Sequence, residues 1–297
     1  MNELAVIADN LVQGVLLGGL YSTAALGLSL VFGVMRMINL AHGQFLALGA
    51  YLTSVIIAAV GGDPLLVALP AALIIGLAAY PLQRFVFTPV MANGEEAPIT
   101  ATFGIGIAIQ VLLLINFSSN PLSLNAPYAT AQFEFFGLHI RLALLIATLI
   151  GIALVVLLTF VIKRTQYGRQ VQAAAFDPQA AGIVGVNVKH TYASVMSISA
   201  ATAGIGGVLI ALSFAIAPQS GTGWLLRAFT VIVIGGLGSL SGTLYGGFIV
   251  GIVETLGALT VGPQYRELVV FGVLVLILII RPNGLFTRST PKKAKKK

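Results

Sequence analysis

The chain has 297 residues, of which 58% are hydrophobic and only 8% charged, whereas about a quarter of the residues of a soluble domain are charged. This composition indicates an integral membrane protein and excludes an ordinary soluble enzyme, and the absence of cysteine excludes disulfides and thiolate metal sites. The net charge is +7, and five of the sixteen basic residues lie in a tail at 290–297, which we expect to be a cytoplasmic segment attracted to anionic lipid rather than to nucleic acid.

Apolar stretches long enough to cross a hydrocarbon core of about 30 Å recur along the chain. Their hydrophobicity is continuous rather than alternating, which favours helices over a β-barrel. We therefore predict an all-α, polytopic membrane protein with about eight membrane regions. These regions lie near 10–35, 40–60, 65–84, 98–117, 141–162, 190–216, 226–262 and 267–281.

Polar residues interrupt the apolar sequence between the first and second regions, in "VMRMINLAHGQFLALGAYL" (34–52). We expect Arg36 at the inner membrane edge, where its long side chain reaches water. Asn39 and His42 are three positions apart, which predicts a shared helix face, with Gln44 pointing elsewhere. These side chains either fix the packing by interhelical hydrogen bonds or line the route of a polar solute.

Two polar connections are long. The segment 117–140 is rich in turn-forming residues, so we expect a small external cap or hairpin. The segment 163–189 has weakly amphipathic faces and contains Asp177-Pro178, a pair that favours a helix start. We predict two short helices that meet near 176–178, with a solvated loop as the alternative; a connection longer than about 12–15 residues is usually functional.

The seventh region, 226–262, is too long for one simple span. Its Gly/Ser cluster at 235–242 predicts a short or re-entrant helix followed by a longer one. Broken helices at membrane depth occur only where protein or a water-filled cavity surrounds the backbone, so this region, with Ser239, is a candidate pathway element. Glycines four residues apart predict a stripe where a neighbouring helix backbone approaches closely. They are Gly238, Gly242 and Gly246, then Gly247 and Gly251, with Gly14 and Gly18 spaced in the same way in the first region.

Glu254 is a carboxylate inside an apolar run, with no basic residue within two helical turns. Such a group must face a wet cavity, find a partner on another helix or hold a proton. A structural hydrogen bond and a direct role in the pathway both fit the sequence. No phosphate-binding, catalytic or metal-binding motif appears, and so no cofactor is expected.

The distribution of basic residues predicts the orientation. If the tail is cytoplasmic, thirteen basic residues lie on the cytoplasmic side and three outside, which is a strong positive-inside signal. The amino terminus is then external. The cytoplasmic residues are Arg36, Arg84, Lys163, Arg164, Arg169, Lys189, Arg281, Arg288 and the five tail lysines; the external ones are Arg141, Arg227 and Arg266.

Three stretches resemble, in the family's order, the LivH-type permeases of branched-chain amino acid ABC importers. They are "GGLYSTAALGLSLVFGVMRMINLAHGQFLALGAYL" (18–52), "YGRQVQAAAFDPQAAGIVGVNV" (167–188) and "GGLGSLSGTLYGGFIVGIVETL" (235–256). The resemblance implies a single permease domain over 1–289 with the ABC importer permease fold, in a bacterial inner membrane. It also implies a second, paralogous permease subunit, two cytoplasmic ATPase subunits and a periplasmic solute-binding protein.

The resemblance further implies that 163–189 is the segment that couples the permease to the ATPase. The family motif is of the type E-A-A-x-x-x-G, and this chain has glutamine in place of glutamate. The residues implied are Arg169, Asp177, Gln179, Ala180, Ala181 and Gly185. Branched-chain amino acids are the implied cargo, with urea, short amides or aromatic acids as alternatives, because the binding protein usually sets specificity.

Two other functional classes remain open on the sequence. One is a proton-coupled secondary transporter that uses Glu254 and His42, since intramembrane carboxylates and imidazoles are common in proton relays. Against it stands the lack of a clear inverted repeat. The other is a membrane-embedded structural partner without a pathway of its own.

Overall fold

Long helices make up most of the computed structural model, which describes residues 3–94, 96–135, 137–282 and 284–286. The basic tail 290–297 and Arg288 lie outside the described residues. The α-helices are α1 (Glu3–Met35), α2 (His42–Val60), α3 (Pro64–Leu82), α4 (Thr88–Val90), α5 (Ala97–Phe117), α6 (Pro127–Thr130), α7 (Leu142–Arg164), α8 (Gln166–Phe176), α9 (Pro178–Ile183), α10 (Val188–Ser213), α11 (Gly221–Gly235), α12 (Leu240–Thr260) and α13 (Arg266–Ile280). A π turn, Gln83–Phe87, joins α3 to α4, and strands β1 (Gln132–Phe135) and β2 (Leu138–Arg141) pair as an antiparallel hairpin.

The described residues hold eight helices that are long and apolar enough to cross a membrane. One of these helices lies in each of the eight predicted membrane regions. The predicted polytopic helical fold is therefore confirmed. The ends differ by a few residues: the first helix begins at Glu3 rather than near 10, and the third continues through the π turn to Val90. The hairpin β1–β2 is the exception to the helical content, and it lies in the 117–140 segment, where turn-forming residues are frequent.

α1 forms the centre of the bundle. The most apolar part of α1 is 89% buried, whereas that of α13 is only 11% buried, so α1 is enclosed by protein and α13 lies at the periphery. α1 packs against α7, α10, α11 and α12. Its contact with α12 is close because Gly14 faces the backbone of Gly251 and Gly18 faces that of Gly247, with no room for a Cβ atom at either glycine of α1.

The seventh region is broken, as the Gly/Ser cluster predicts. α11 has 15 residues, about 22 Å at 1.5 Å per residue, and is shorter than a hydrocarbon core of about 30 Å. A turn follows, and α12 returns antiparallel along α11. The predicted single glycine stripe is wrong in one respect, because the glycines serve two partners. Gly242 and Gly246 pack on α11, whereas Gly247 and Gly251 pack on α1, and Gly238 belongs to the turn, where it has a φ of +79° and contacts Gly33.

Helix starts in the connections follow the capping chemistry of the sequence. Asp63 accepts a hydrogen bond from the backbone N–H of Leu65 and precedes the proline that opens α3. Asp177 does the same for α9, so the predicted pair of short helices meeting at 176–178 is present. The hairpin is held to α1 by the backbone N–H of His139, which donates to Oδ1 of Asp9 at 2.6 Å.

Candidate functional site

The polar cluster between α1 and α2 does not form a shared helix face. α1 ends at Met35, Arg36 adopts a φ of +53° and is exposed, and α2 begins only at His42. Asn39 therefore lies in irregular backbone, where its Oδ1 accepts a hydrogen bond from the N–H of Ala41 at 3.0 Å. The prediction that Asn39 and His42 share a helix face is wrong. The Asn39 side chain bonds the backbone two residues further on, and this local hydrogen bond takes the place of a helical turn.

These side chains are enclosed by protein. Asn39 and His42 are each 0% exposed, and Nε2 of His42 lies 2.7 Å from the carbonyl oxygen of Ala24. Nε2 of Gln44 donates to Oε1 of Gln110 at 3.3 Å, which joins α2 to α5. The arrangement therefore supports the packing alternative for Asn39 and His42 in this conformation, with Gln44 at a junction between helices.

Glu254 is 6% exposed and has a partner on α1. The Tyr21 hydroxyl donates to its Oε2 at 2.7 Å. α1 and α12 are antiparallel, and the Cα–Cβ bond of each residue tilts toward the amino terminus of its own helix. The side chains of Tyr21 and Glu254 can therefore meet although their Cα atoms lie at different levels of the bundle. A hydrogen bond between two buried groups offsets part of the cost of removing the carboxylate from water.

Glu254 also lines a cavity of about 520 Å³ among α1, α11, α12, the start of α13 and the segment 214–220, which we call the Glu254 cavity. The Arg227 guanidinium rests 5.5 Å from the centre of the Trp224 ring and donates to Oε1 of Glu267 at 2.8 Å. Glu267 is 67% exposed, so this ion pair lies at the water-facing edge. The cavity is lined by Tyr21, Phe214, Trp224, Arg227, Glu254 and Arg266, among others.

Reasoning from the sequence did not identify Tyr21, Trp224, Arg227 or Arg266 as site residues. One signal was present: Trp224 and Arg227 are three residues apart and so share one helix face. That this face and Glu254 line the same cavity could not be predicted from the sequence, because it depends on how α11 and α12 pack.

Ser239 lies elsewhere. It caps α12, where its hydroxyl oxygen accepts a hydrogen bond from the N–H of Gly242 at 3.0 Å. It lines a separate cavity, also of about 520 Å³, beside Lys163 and Phe286. The five candidate pathway residues thus fall in three places: Asn39, His42 and Gln44 at the start of α2, Ser239 at the start of α12, and Glu254 in its own cavity.

The 163–189 segment forms a compact projection. Oδ1 of Asp177 accepts hydrogen bonds from the N–H groups of Gln179 and Ala180 at 2.9 and 3.0 Å. At the other end of α9, Gly185 has a φ of +89°, a conformation that glycine adopts without strain. Ala181, one of the small residues in the motif, is only 3% exposed. It therefore packs inward and is not on the surface.

α8 is attached firmly to the membrane helices. The Tyr167 hydroxyl donates to Oγ of Ser194 on α10 at 3.0 Å, and burial raises the pKa of Tyr167, which keeps this donor protonated. A Cβ atom on Gly168 would collide with the carbonyl oxygens of Val161 and Ile162, so α8 lies directly against the end of α7.

Three large apolar side chains project from this segment into solvent. Phe176 is 84% exposed, Ile183 87% and Val184 77%. Exposed apolar side chains grouped on a polar segment are typical of a protein contact. Arg169 and Gln179 are also exposed on it.

The chain matches one family of transport proteins over most of its length. A family model described as the branched-chain amino acid transport system permease component matches residues 10–278. The high-affinity branched-chain amino acid transport system permease protein BraD of Pseudomonas aeruginosa is 29% identical over 99% of this chain and 100% of its own. LivH of Escherichia coli K12, with the same description, is 30% identical over 95% of this chain and 96% of its own. The fructose import permease FrcC of Rhizobium meliloti is 29% identical over 93% and 82%. The chain therefore belongs to the branched-chain amino acid transport system permease family.

Proposed function

We propose that this chain is the membrane-spanning permease subunit of an ATP-binding-cassette importer for branched-chain or related amino acids. Separate cytoplasmic ATPase subunits supply the energy, a periplasmic binding protein delivers the solute, and a second permease subunit completes the pathway. Membership of the permease family is the observation that carries the proposal. The exposed apolar side chains of α8 and α9 support the docking of an ATPase.

The contacts of the 163–189 segment support a mechanical role for it. An ATPase that binds Phe176, Ile183 and Val184 moves α8 and α9 together, because Asp177 caps α9 at the point where α8 ends. α8 packs on α7 and α10, and α10 in turn packs on α1, α2 and α3. Movement of the ATPase subunits is then transmitted to the centre of the bundle as a rigid-body shift.

The proposed orientation places this segment, the basic tail and most basic residues in the cytoplasm. The amino terminus and the β1–β2 hairpin then face the periplasm. The thirteen-to-three division of basic residues supports this orientation. Arg36 at the end of α1 is exposed, as expected for a side chain at the inner lipid headgroups.

Amino acids are the proposed cargo because the relatives with the highest coverage are branched-chain amino acid permeases. The fructose import permease matches over a smaller share of this chain and of its own length. Urea, short amides and aromatic acids remain the alternatives within this proposal.

The ATPase contact is tested with a double variant, Ile183→Ser with Val184→Ser, in the assembled importer. We expect copurification of the ATPase to fall at least tenfold, since two large apolar side chains leave the interface. Val60→Ser is the matched control, because Val60 is 78% exposed at the end of α2 and away from the segment. Unchanged copurification of the ATPase with the double variant would contradict the docking assignment.

Transport is tested with the complete importer in proteoliposomes. We expect uptake of leucine that requires ATP, the ATPase subunits and the binding protein. Gradient-driven uptake by the isolated chain would instead indicate the proton-coupled alternative. In the structure Glu254 bonds Tyr21 and His42 contacts the carbonyl of Ala24, so neither group bonds the other.

A further inference from the structure

The Glu254 cavity holds a carboxylate that the protein satisfies only in part. Within the described residues, the Tyr21 hydroxyl is the hydrogen-bond donor to Glu254, and it reaches one carboxylate oxygen, Oε2. An ionised carboxylate has about four acceptor sites. A buried carboxylate with one donor therefore has capacity for a cationic or multiply donating ligand in the cavity.

Two arginines line the same cavity. Arg227 gives one Nη2 donor to Glu267, and because a guanidinium carries five N–H donors, further donors remain. Arg266 is exposed and makes no side-chain hydrogen bond or ion pair within the described part of the chain. Because both arginines line the cavity, a carboxylate that enters it has guanidinium donors available for charge-assisted hydrogen bonds.

The remaining wall is apolar and aromatic. The rings of Trp224 and Tyr21 pack edge to face with centroids 6.0 Å apart, and Phe214 lies 6.2 Å from Trp224. Leu17 adds an aliphatic surface. The volume of about 520 Å³ falls in the range of about 300–1,000 Å³ typical of small-molecule sites. An aliphatic or aromatic side chain of a small ligand is compatible with this wall.

We propose that the Glu254 cavity binds a free α-amino acid as a zwitterion. The ammonium group lies at Glu254, the carboxylate lies between Arg227 and Arg266, and the side chain packs toward Trp224 and Leu17. The inference deepens the proposed function and rests on it, because a permease that receives an amino acid from a binding protein needs a place for both of its charges. It also predicts selectivity, since urea, amides and sugars lack one or both charges and leave the cavity's charged groups unpaired.

The alternative is that Glu254 and Tyr21 only tie α12 to α1. Glu254→Gln separates the two roles, because glutamine keeps an acceptor for the Tyr21 hydroxyl but loses the charge that an ammonium group needs. Arg266→Gln is the second variant, since the exposed Arg266 side chain has no protein partner to lose in the described chain. Glu96→Gln, at an exposed carboxylate before α5, is the matched control.

The first experiment measures binding of radiolabelled leucine to the importer in nanodiscs, without the binding protein or ATP. N-acetyl-leucine, which has no ammonium, and leucinamide, which has no carboxylate, are the competitors. For the unaltered importer we expect each analogue to compete at least tenfold more weakly than leucine. Glu254→Gln removes the preference over N-acetyl-leucine, Arg266→Gln reduces the preference over leucinamide severalfold, and Glu96→Gln changes neither. Analogue preferences that stay unchanged in both cavity variants overturn the proposal.

The second experiment uses the absence of cysteine from the chain. In Gly223→Cys, a Cβ atom meets only the Nη1 atom of Arg227 at 3.8 Å, so a thiol enters the cavity without disturbing it. We expect leucine to slow modification of this thiol by a charged thiosulfonate reagent at least fivefold, and not to slow modification of Thr130→Cys at the exposed end of α6. A Gly223→Cys thiol that leucine does not protect, or that the assembled importer seals from the reagent, contradicts the proposal.

The two proposals fail in different ways. If the unaltered importer drives ATP-dependent leucine uptake but shows no analogue preference, only the amino acid site is wrong. If the complete importer takes up no amino acid at all, the proposed function is wrong as well.

Discussion

Asp177 shows how one side chain fixes the geometry of a whole segment. It is the C-cap of α8 and the N-cap of α9, so its carboxylate stabilises the turn between the two helices. The sequence pair Asp-Pro was sufficient to predict this start, because capping is a local interaction. The burial of Ala181 beneath the same turn was not predictable, since it depends on which face of the short helix α9 turns inward.

Replacing Asp177 tests the cap directly. Asp177→Ala removes the acceptor for two backbone N–H groups and destabilises the helix start by about 0.5–2 kcal/mol. We expect ATP-driven leucine uptake to fall severalfold while ATP hydrolysis persists, because a loosened α9 transmits less movement. Asp177→Asn retains a capping oxygen and should keep most of the uptake. An asparagine variant as impaired as the alanine variant would show that the charge, and not the cap, matters.

Tyr128 forms a second local contact, on the 117–140 segment, with a predictable pH dependence. Its hydroxyl donates to Oδ1 of Asp63 at 2.7 Å, and burial, followed by this hydrogen bond and the Asp63 charge, raises the pKa of Tyr128 above the ordinary value of 10.0. The contribution of the neutral phenol to stability is therefore fully present below about pH 10 and is lost as the pH rises further.

We expect the melting temperature to be lower for Tyr128→Phe than for the unaltered chain by a constant amount between about pH 6 and about pH 9. Above about pH 10 the difference should shrink, because ionisation of Tyr128 weakens the unaltered chain. Tyr265→Phe, at an exposed tyrosine, should show no such dependence. A difference that grows with pH would mean that the hydroxyl is not the donor.

At the scale of helices, the contact of α1 with α12 depends on glycine. The single O–H of Ser22 is shared between the carbonyl oxygens of Gly18 and Leu244, which lie 2.8 and 3.1 Å from Oγ, and it links the two helices. A Cβ atom on Gly247 would collide with Ser22 Oγ and lie 2.5 Å from the oxygen of Gly18. Because backbone atoms on α1 cannot yield as a flexible side chain can, the two helices would have to move apart.

Gly247→Ala should therefore lower the free energy of unfolding by about 1–3 kcal/mol, the usual cost of overpacking. Gly104→Ala is the matched control, since Gly104 lies in α5 with nothing within 4 Å of an added Cβ atom, and its effect should stay within about 0.5 kcal/mol. Denaturant unfolding in mixed micelles measures both. Equal effects of the two substitutions would contradict a close contact between α1 and α12 at Gly247.

For the whole molecule, the sequence predicted what depends on composition and local chemistry. Eight apolar regions, the break near 235–242 and the family were correct, because long apolar runs, glycine clusters and motif order are all visible in one dimension. The grouping of functional residues was not visible. Glu254 lies with Tyr21 and not with His42, since the antiparallel return of α12 along α1 decides its neighbours.

The orientation of the whole chain gives the last prediction. The charge distribution predicts an external 117–140 segment and a cytoplasmic 163–189 segment, and both project exposed residues, Glu134 from the first and Val184 from the second. In this cysteine-free chain, we expect a membrane-impermeant maleimide to modify Glu134→Cys in spheroplasts and Val184→Cys only after permeabilisation. Modification of Val184→Cys in sealed spheroplasts would show that the orientation is the reverse of the predicted one. It would also contradict the proposed docking of an ATPase on α9, because a cytoplasmic ATPase cannot bind an external surface.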